Sequence, residues 1–142
     1  MPRVLAVDPG ERRTGLALSD PLGMIASPLA VLEARDEARL VAEIERIVRA
    51  KEVALVLVGF PAREDGYEGE GCRRSRRLKA ALERSGLPVE LWDESGSTER
   101  AYEVTRQHGK DRRSSLRAKD AVAASFILSS YLESHPGGAR RG

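Results

Sequence analysis

A single cysteine, Cys72, rules out an intrachain disulfide and any cysteine-rich zinc site. The only two histidines, His108 and His135, lie far apart in sequence without ligand-like neighbours, so a histidine-held zinc is not expected either. Aromatic residues make up 4% of the chain, which leaves Val, Leu, Ile and Ala to build the core. No apolar run approaches the roughly 20 residues that span a bilayer. Met1-Pro2-Arg3 runs into a strand-like segment without the pattern of a secretory signal. A cytoplasmic protein with no membrane partner is the expectation. Nor is there a large excess of charge: 24 basic against 22 acidic residues leave +2. That balance permits a nucleic acid partner without arguing for one, so the placement of the charges has to decide.

The 142 residues are 41% hydrophobic and 32% charged, enough apolar material for a globular domain with a real core. We expect one domain over 1–135 and a disordered tail over 136–142, which opens Pro136-Gly137-Gly138. Val4–Val7, Thr14–Leu18 and Ile25–Leu32 read as strands separated by turn chemistry at Pro9-Gly10 and Ser19-Asp20-Pro21, close enough for an antiparallel meander. From Asp36 the period changes: Leu40, Val41, Ile44, Ile47 and Val48 recur at helical spacing. Val53–Val58 is apolar without alternation, as in a strand buried on both faces and paired in parallel. A glycine- and acid-rich loop over 59–71 leads to a helix from about Cys72 to Arg84, with Cys72, Ser75, Leu78 and Leu82 inward. A strand over Val89–Trp92 ends at Asp93-Glu94. Ser97 can cap a helix over 98–108, a basic mobile loop fills 109–115, and a last helix runs from Leu116 to about Glu133. Three hairpin-linked strands followed by βα units describe an α/β fold, a mixed sheet flanked by helices.

Three carboxylates stand out by position. Asp8 ends the first strand, Glu94 follows the last, and Asp120 lies near the start of the final helix on the stripe of Ala124, Ile127 and Tyr131. An ionised carboxylate on an apolar stripe is costly unless it is paired. A hard divalent cation, magnesium or manganese, supplies such a partner through oxygen ligands. Three converging acids suit a two-metal site, in which cations roughly 4 Å apart activate a water and stabilise the leaving oxygen of a phosphodiester. Each acid has a plain alternative. Asp8 suits a turn before Pro9-Gly10, Asp93-Glu94 a loop pair, and Asp120 the first helical turn, where the dipole favours acids.

The basic residues cluster twice. Arg73, Arg74, Arg76, Arg77 and Lys79 crowd one helix, where a solvated face explains them. From Arg100 to Lys119 seven basic residues, including Lys110, Arg112, Arg113, Arg117 and Lys119, face two acids. The second stretch adjoins Asp120 and fits phosphate contacts beside a cleavage site.

Four blocks then fall into a known order. Asp8-Pro9-Gly10-Glu11-Arg12-Arg13-Thr14-Gly15, closing on Ser19-Asp20, is similar to a motif of an acid followed by G-x-(K/R)-R-x-G. Gly59-Phe60-Pro61 with Asp65-Gly66-Tyr67-Glu68-Gly69, then Asp93-Glu94 with Ser97-Thr98 and Ala101, then Asp120-Ala121-Val122-Ala123-Ala124 with Ile127-Leu128, complete the set across nearly the whole chain. Together they resemble the YqgF/RuvX family. The resemblance implies an RNase H-like fold with a five-stranded mixed sheet, related to the Holliday junction resolvase RuvC. It implies that Asp8, Glu94 and Asp120 are the catalytic and metal-holding acids of a metal-dependent nuclease, with Mg2+ or Mn2+ as cofactor. Arg12 and Arg13 of the first motif join Lys110, Arg112, Arg113, Arg117 and Lys119 as expected nucleic acid contacts. The implied role is maturation of the 5′ end of pre-16S rRNA in ribosome biogenesis, with an RNA precursor favoured as partner. Resolution of branched DNA is the alternative; it generally needs two active sites, which leaves monomer or homodimer open. One departure is clear: the arginine that the family usually carries after Asp-Glu is replaced by Ser95-Gly96-Ser97-Thr98.

Two rival classes remain. Actin-like and sugar-kinase ATPases also open with Asp-x-Gly and a hairpin, but they need a second domain and an adenine pocket. A nucleic-acid-binding module that has lost catalysis would lack acids, and all three are present.

Overall fold

The first apolar run forms strand β1 (Arg3–Asp8), in which Val4, Leu5, Ala6 and Val7 are all completely buried. A strand can bury every residue only when both faces of its sheet are covered. The structure, a computed structural model, describes residues 3–33, 35–93 and 112–135; of residues 112–118 it describes the backbone alone. Strands β2 (Arg13–Ser19), β3 (Ala26–Glu33), β4 (Val53–Phe60) and β5 (Val89–Asp93) complete one sheet with β1, in the order β3-β2-β1-β4-β5. β1 pairs antiparallel with β2, and β2 with β3; β1 pairs parallel with β4, and β4 with β5. This is the expected mixed sheet: hairpins join the first three strands, and helices make the crossovers to β4 and β5.

Helices α1 (Glu37–Ala50) and α2 (Glu70–Arg84) cover one face and α3 (Arg112–Ser134) the other. Asp36 caps α1, its carboxylate accepting from the N–H groups of Ala38 and Arg39. Alternation along β1 separates two cores. Leu5 and Val7 join Leu16, Val56 and Val58 beneath Leu40, Ile44, Leu78 and Leu82. Val4 and Ala6 join Ala17 and Leu57 beneath Ala124, Ile127, Leu128 and Tyr131. The second core has small residues on both sides, Ala6 and Ala17 against Ala124, so α3 lies close to the sheet.

Hydroxyls anchor the frame. Val4 N–H donates to the buried Ser19 Oγ at 2.8 Å, beside the register shift between Arg3 and Val4. Ser75 Oγ donates to the carbonyl of Gly59 at 2.6 Å, tying α2 to the end of β4. Trp92 packs edge-on against Tyr131 at 5.1 Å and donates from Nε1 to Ser130 Oγ, pinning β5 to α3.

Some expectations need correction. β4 runs on to Phe60 and α2 starts at Glu70, so the loop between them is shorter than residues 59–71. The last helix begins at Arg112, not Leu116, so Arg112 and Arg113 open a helix instead of lying in a mobile loop. Ser114-Ser115 reads as a break because serine favours caps, but the arginines, alanine and lysine around it are good helix formers. Asp120 is consequently nine residues into α3, not in its first turn. The helix expected over 98–108, Lys110 and the tail over 136–142 lie outside the described residues.

Gly15 is where the sheet and α3 come closest. A Cβ there would run into the carbonyl oxygen of Asp120 and stand 2.5 Å from its carbonyl carbon. Backbone on both sides cannot swing away as a side chain can. Gly15→Ala is therefore expected to destabilise by roughly 1–3 kcal/mol, lowering Tm by about 3–10 °C in a chain of this size. Thermal melting checks it; an unchanged Tm would show that α3 can stand off the sheet freely.

Candidate active site

Asp8, the last residue of β1, lies directly opposite Gly15 of β2. Residues opposed in an antiparallel pair share a face of the sheet, and alternation gives the same answer, since Val4 and Ala6 face α3. Gly15 in turn touches the backbone of Asp120. The structure thus brings two of the three expected acids, Asp8 and Asp120, to the same place: the edge of the sheet where β1 ends, on the α3 face. Glu94 lies outside the described residues. Among the described residues no three acid, histidine or cysteine side chains converge. β5 does carry Trp92 on the α3 face, two residues before Glu94.

The turn between β1 and β2 shapes this edge. A side chain at Gly10 would collide with the carbonyl of Arg13, so the turn closes only around a glycine. Arg12 is exposed on it. Arg13, half-buried at the start of β2, reaches α3: its Nε lies 3.1 Å from Asp120 Oδ2. Sequence reasoning placed Arg13 among nucleic acid contacts and did not foresee this ion pair, because the pairing joins residues more than a hundred positions apart.

Asp120 is poorly satisfied. Its side chain is 31% exposed, but Oδ2 itself is buried and receives no well-aligned hydrogen bond among the described residues. The Arg13 contact is close enough for Coulomb attraction without a directed N–H. Burial pushes the Asp120 carboxyl above its ordinary value, and this outweighs the opposing pull of Arg13 and Lys119. An oxygen that is buried, short of donors and next to a second acid fits a hard divalent cation. Asp8 and Asp120 offer the oxygen donors such an ion prefers.

Other charged residues of the sequence motifs have local duties. Asp20 Oδ1 accepts from the N–H groups of Met24 and Ile25, at 2.8 Å each, and these backbone bonds hold its carboxyl below the usual range. Glu68 takes the Arg76 guanidinium in a two-point fork at 2.8 and 2.7 Å, which lowers its pKa, while Arg76 lies over the Phe60 ring. Arg73 and Arg77 pair with Glu70, and Lys79 with Glu83. The solvated-face reading of this helix holds for these residues; Arg74 is different, half-buried and without such a pair among the described residues. The side chains of Arg112, Arg113 and Arg117 lie outside the description, and Lys119 is half-buried beside Asp120.

The chain matches the family model described as "RuvX: Holliday junction resolvase" over residues 2–134. It is 39% identical to a protein of Lachnospira eligens named "Putative pre-16S rRNA nuclease", an alignment covering 93% of this chain and 97% of that one. A protein of the same name from Syntrophus aciditrophicus is also 39% identical, over 92% of this chain and 88% of its own length. Among solved structures, Thermus thermophilus RuvC in complex with a Holliday junction substrate superposes with a TM-score of 0.56 at 17% identity, covering 97% of this chain and 99% of that one. The fowlpox virus resolvase with its junction DNA gives 0.54 at 17%, over 93% of this chain and 97% of its own. At such identities the likeness speaks for the fold, which is RNase H-like.

The raised Asp120 pKa has a signed consequence. A carboxyl that binds its proton more tightly when folded makes the protein lose stability as pH rises from the ordinary 3.8 through the folded value. Asp120→Asn removes that loss. In EDTA above this range the variant should melt at or above the wild-type temperature, and the wild type should show the downward step alone. A badly destabilised variant would make the carboxylate a structural partner.

Proposed function

The chain belongs to the RuvX family, and from that membership and the pairing of Asp8 with Asp120 at one sheet edge we propose that it is a nuclease hydrolysing phosphodiester bonds, acting in 5′-end maturation of pre-16S rRNA. The carrying observation is that backbone contact at Gly15 holds two acids from distant segments on one face, one of them with a buried, under-satisfied oxygen. The names of the relatives support the rRNA precursor as substrate. The proposal takes residues 1–135 as one catalytic domain in the cytoplasm; among the described residues no helix is long and apolar enough to cross a membrane.

In this reading Asp8, Asp120 and Glu94 hold Mg2+ or Mn2+ through carboxylate oxygens; Glu94 shares the sequence parity of Trp92. Bound cations supply an acidified water and charge stabilisation in a two-metal mechanism. Arg13 steadies the Asp120 carboxylate from the β2 side. Arg12, on the exposed turn, and Lys119, next to Asp120, neutralise substrate phosphates, with Lys110, Arg112, Arg113 and Arg117 extending the basic path. Hydrolysis adds the elements of water across one P–O bond: hydroxide joins phosphorus and the departing oxygen takes the proton.

The family model's description favours a second reading, cleavage of four-way DNA junctions, which would call for a homodimer. One assay compares them: single-stranded rRNA precursor, duplex DNA and a four-way junction, each with manganese and with EDTA. Cleavage of the precursor is expected with metal and absent in EDTA. Asp8→Asn and Asp120→Asn should each reduce it by at least about 100-fold, the scale on which loss of a transition-state contact is felt. Undiminished cutting in EDTA would overturn the metal mechanism, and preference for the junction would replace RNA with DNA.

A further inference from the structure

On the other face of the sheet from Asp8 and Asp120, at the same edge, lies an open cavity of about 660 Å³. The β1–β2 turn forms one wall, and the first turns of both α1 and α2 form others. The volume is in the range of sites for small organic groups. Its lining is balanced in formal charge, with Arg35, Arg74 and Arg77 against Glu11, Glu37 and Glu70, so a count does not identify the ligand.

Three observations do. Glu70 is already engaged by Arg77 at 3.3 Å and by Arg73 at 3.6 Å, whereas Arg35 and Arg74 make no ion pair among the described residues. Two helices begin at the cavity, and α2 starts at Gly69 without a side-chain cap, so its first N–H groups are open to an anion. Thr14, which also borders the cavity, is completely buried and its Oγ1 has no hydrogen-bond partner. Two unpaired guanidiniums, two helix N-termini and an orphaned hydroxyl together suit a phosphate with its sugar.

We propose that this cavity is a second phosphate-binding site that takes a nucleotide of the substrate strand flanking the scissile bond, the strand crossing over the β1–β2 turn from one face of the sheet to the other. The proposal rests on the nuclease reading, since the strand must first reach the acids. Arg74 and Arg35 would grip the phosphate, and Thr14 would line the floor beneath it.

The test uses the full chain in EDTA, so that metal at the acids plays no part. Binding of a fluorescent single-stranded RNA of about 12 nucleotides is measured against salt for the wild type, for Arg35→Ala/Arg74→Ala and for Thr14→Val. The double variant should melt like the wild type and bind roughly tenfold more weakly at low salt. Its log–log salt slope should shrink by about 1.4, two lost phosphate contacts at 0.7 each. Thr14→Val should stay folded and bind a few-fold more weakly. An unchanged slope and affinity in the double variant, with a wild type that binds RNA normally, would overturn the proposal and leave the nuclease reading standing. A wild type with no salt-dependent RNA affinity would overturn both. A parallel arm adds millimolar inorganic phosphate or AMP: a Tm increase lost in the double variant, with RNA binding unchanged, would assign the cavity to a free phosphate compound and also overturn the strand.

Discussion

Close contact between Gly15 and the backbone of Asp120 is the constraint on which the site depends. Helix α3 can bury its apolar side on the sheet only if the sheet offers little bulk along the line of contact, and Ala6 and Ala17 provide that in the second core. At the sheet edge even a methyl group is too large. Because β2 is bare there, the helix brings Asp120 down beside the end of β1, where Asp8 stands opposite the same glycine. Two residues separated by more than a hundred positions are thus positioned by packing of main chain on main chain, which deforms less than contacts between long side chains.

The same packing leaves Asp120 electrostatically dissatisfied. Burial raises its pKa, and Arg13 and Lys119 offset this only in part. Arg13 approaches to 3.1 Å without a well-directed hydrogen bond, so the carboxylate has a counter-charge while one oxygen remains short of a donor. A fully satisfied carboxylate would be more stable and a poorer ligand. The first motif therefore serves both geometry and charge. Gly10 closes the turn, Arg13 reaches across to α3, and Gly15 admits the helix. Ser19 and Asp20, from the same motif, secure the backbone instead: Ser19 Oγ accepts from Val4, and Asp20 ties the turn after β2.

The mixed sheet gives one edge two working faces. β1 and β4 run parallel, so their C-terminal ends lie side by side, and the turn after β1 and the segment after β4 both emerge there. On one face stand the acids and α3; on the other, α1 and α2 begin around the arginine-lined cavity. Only the short β1–β2 turn separates them. Crevices beyond the carboxyl ends of parallel strands are where α/β sheets commonly place ligands, because loops and helix starts meet there.

Much of this was legible in the amino-acid sequence. Alternation, apolar runs and turn residues determined the five strands, the α/β class and the helices α1 and α2, because period and burial are local consequences of side-chain order. The blocks around Asp8 and Asp120 carried the family and the candidate acids. The start of α3 was misjudged at Ser114-Ser115, where local serine preference opposed a helix that packing extends to Arg112. Asp120 on an apolar stripe was visible; that Gly15 sets its position, that Arg13 is its ion-pair partner and that Arg74 stands apart from its paired neighbours were not. Those facts depend on which distant segments touch, and long-range contacts are decided by packing of the whole chain, not by the local pattern on either side.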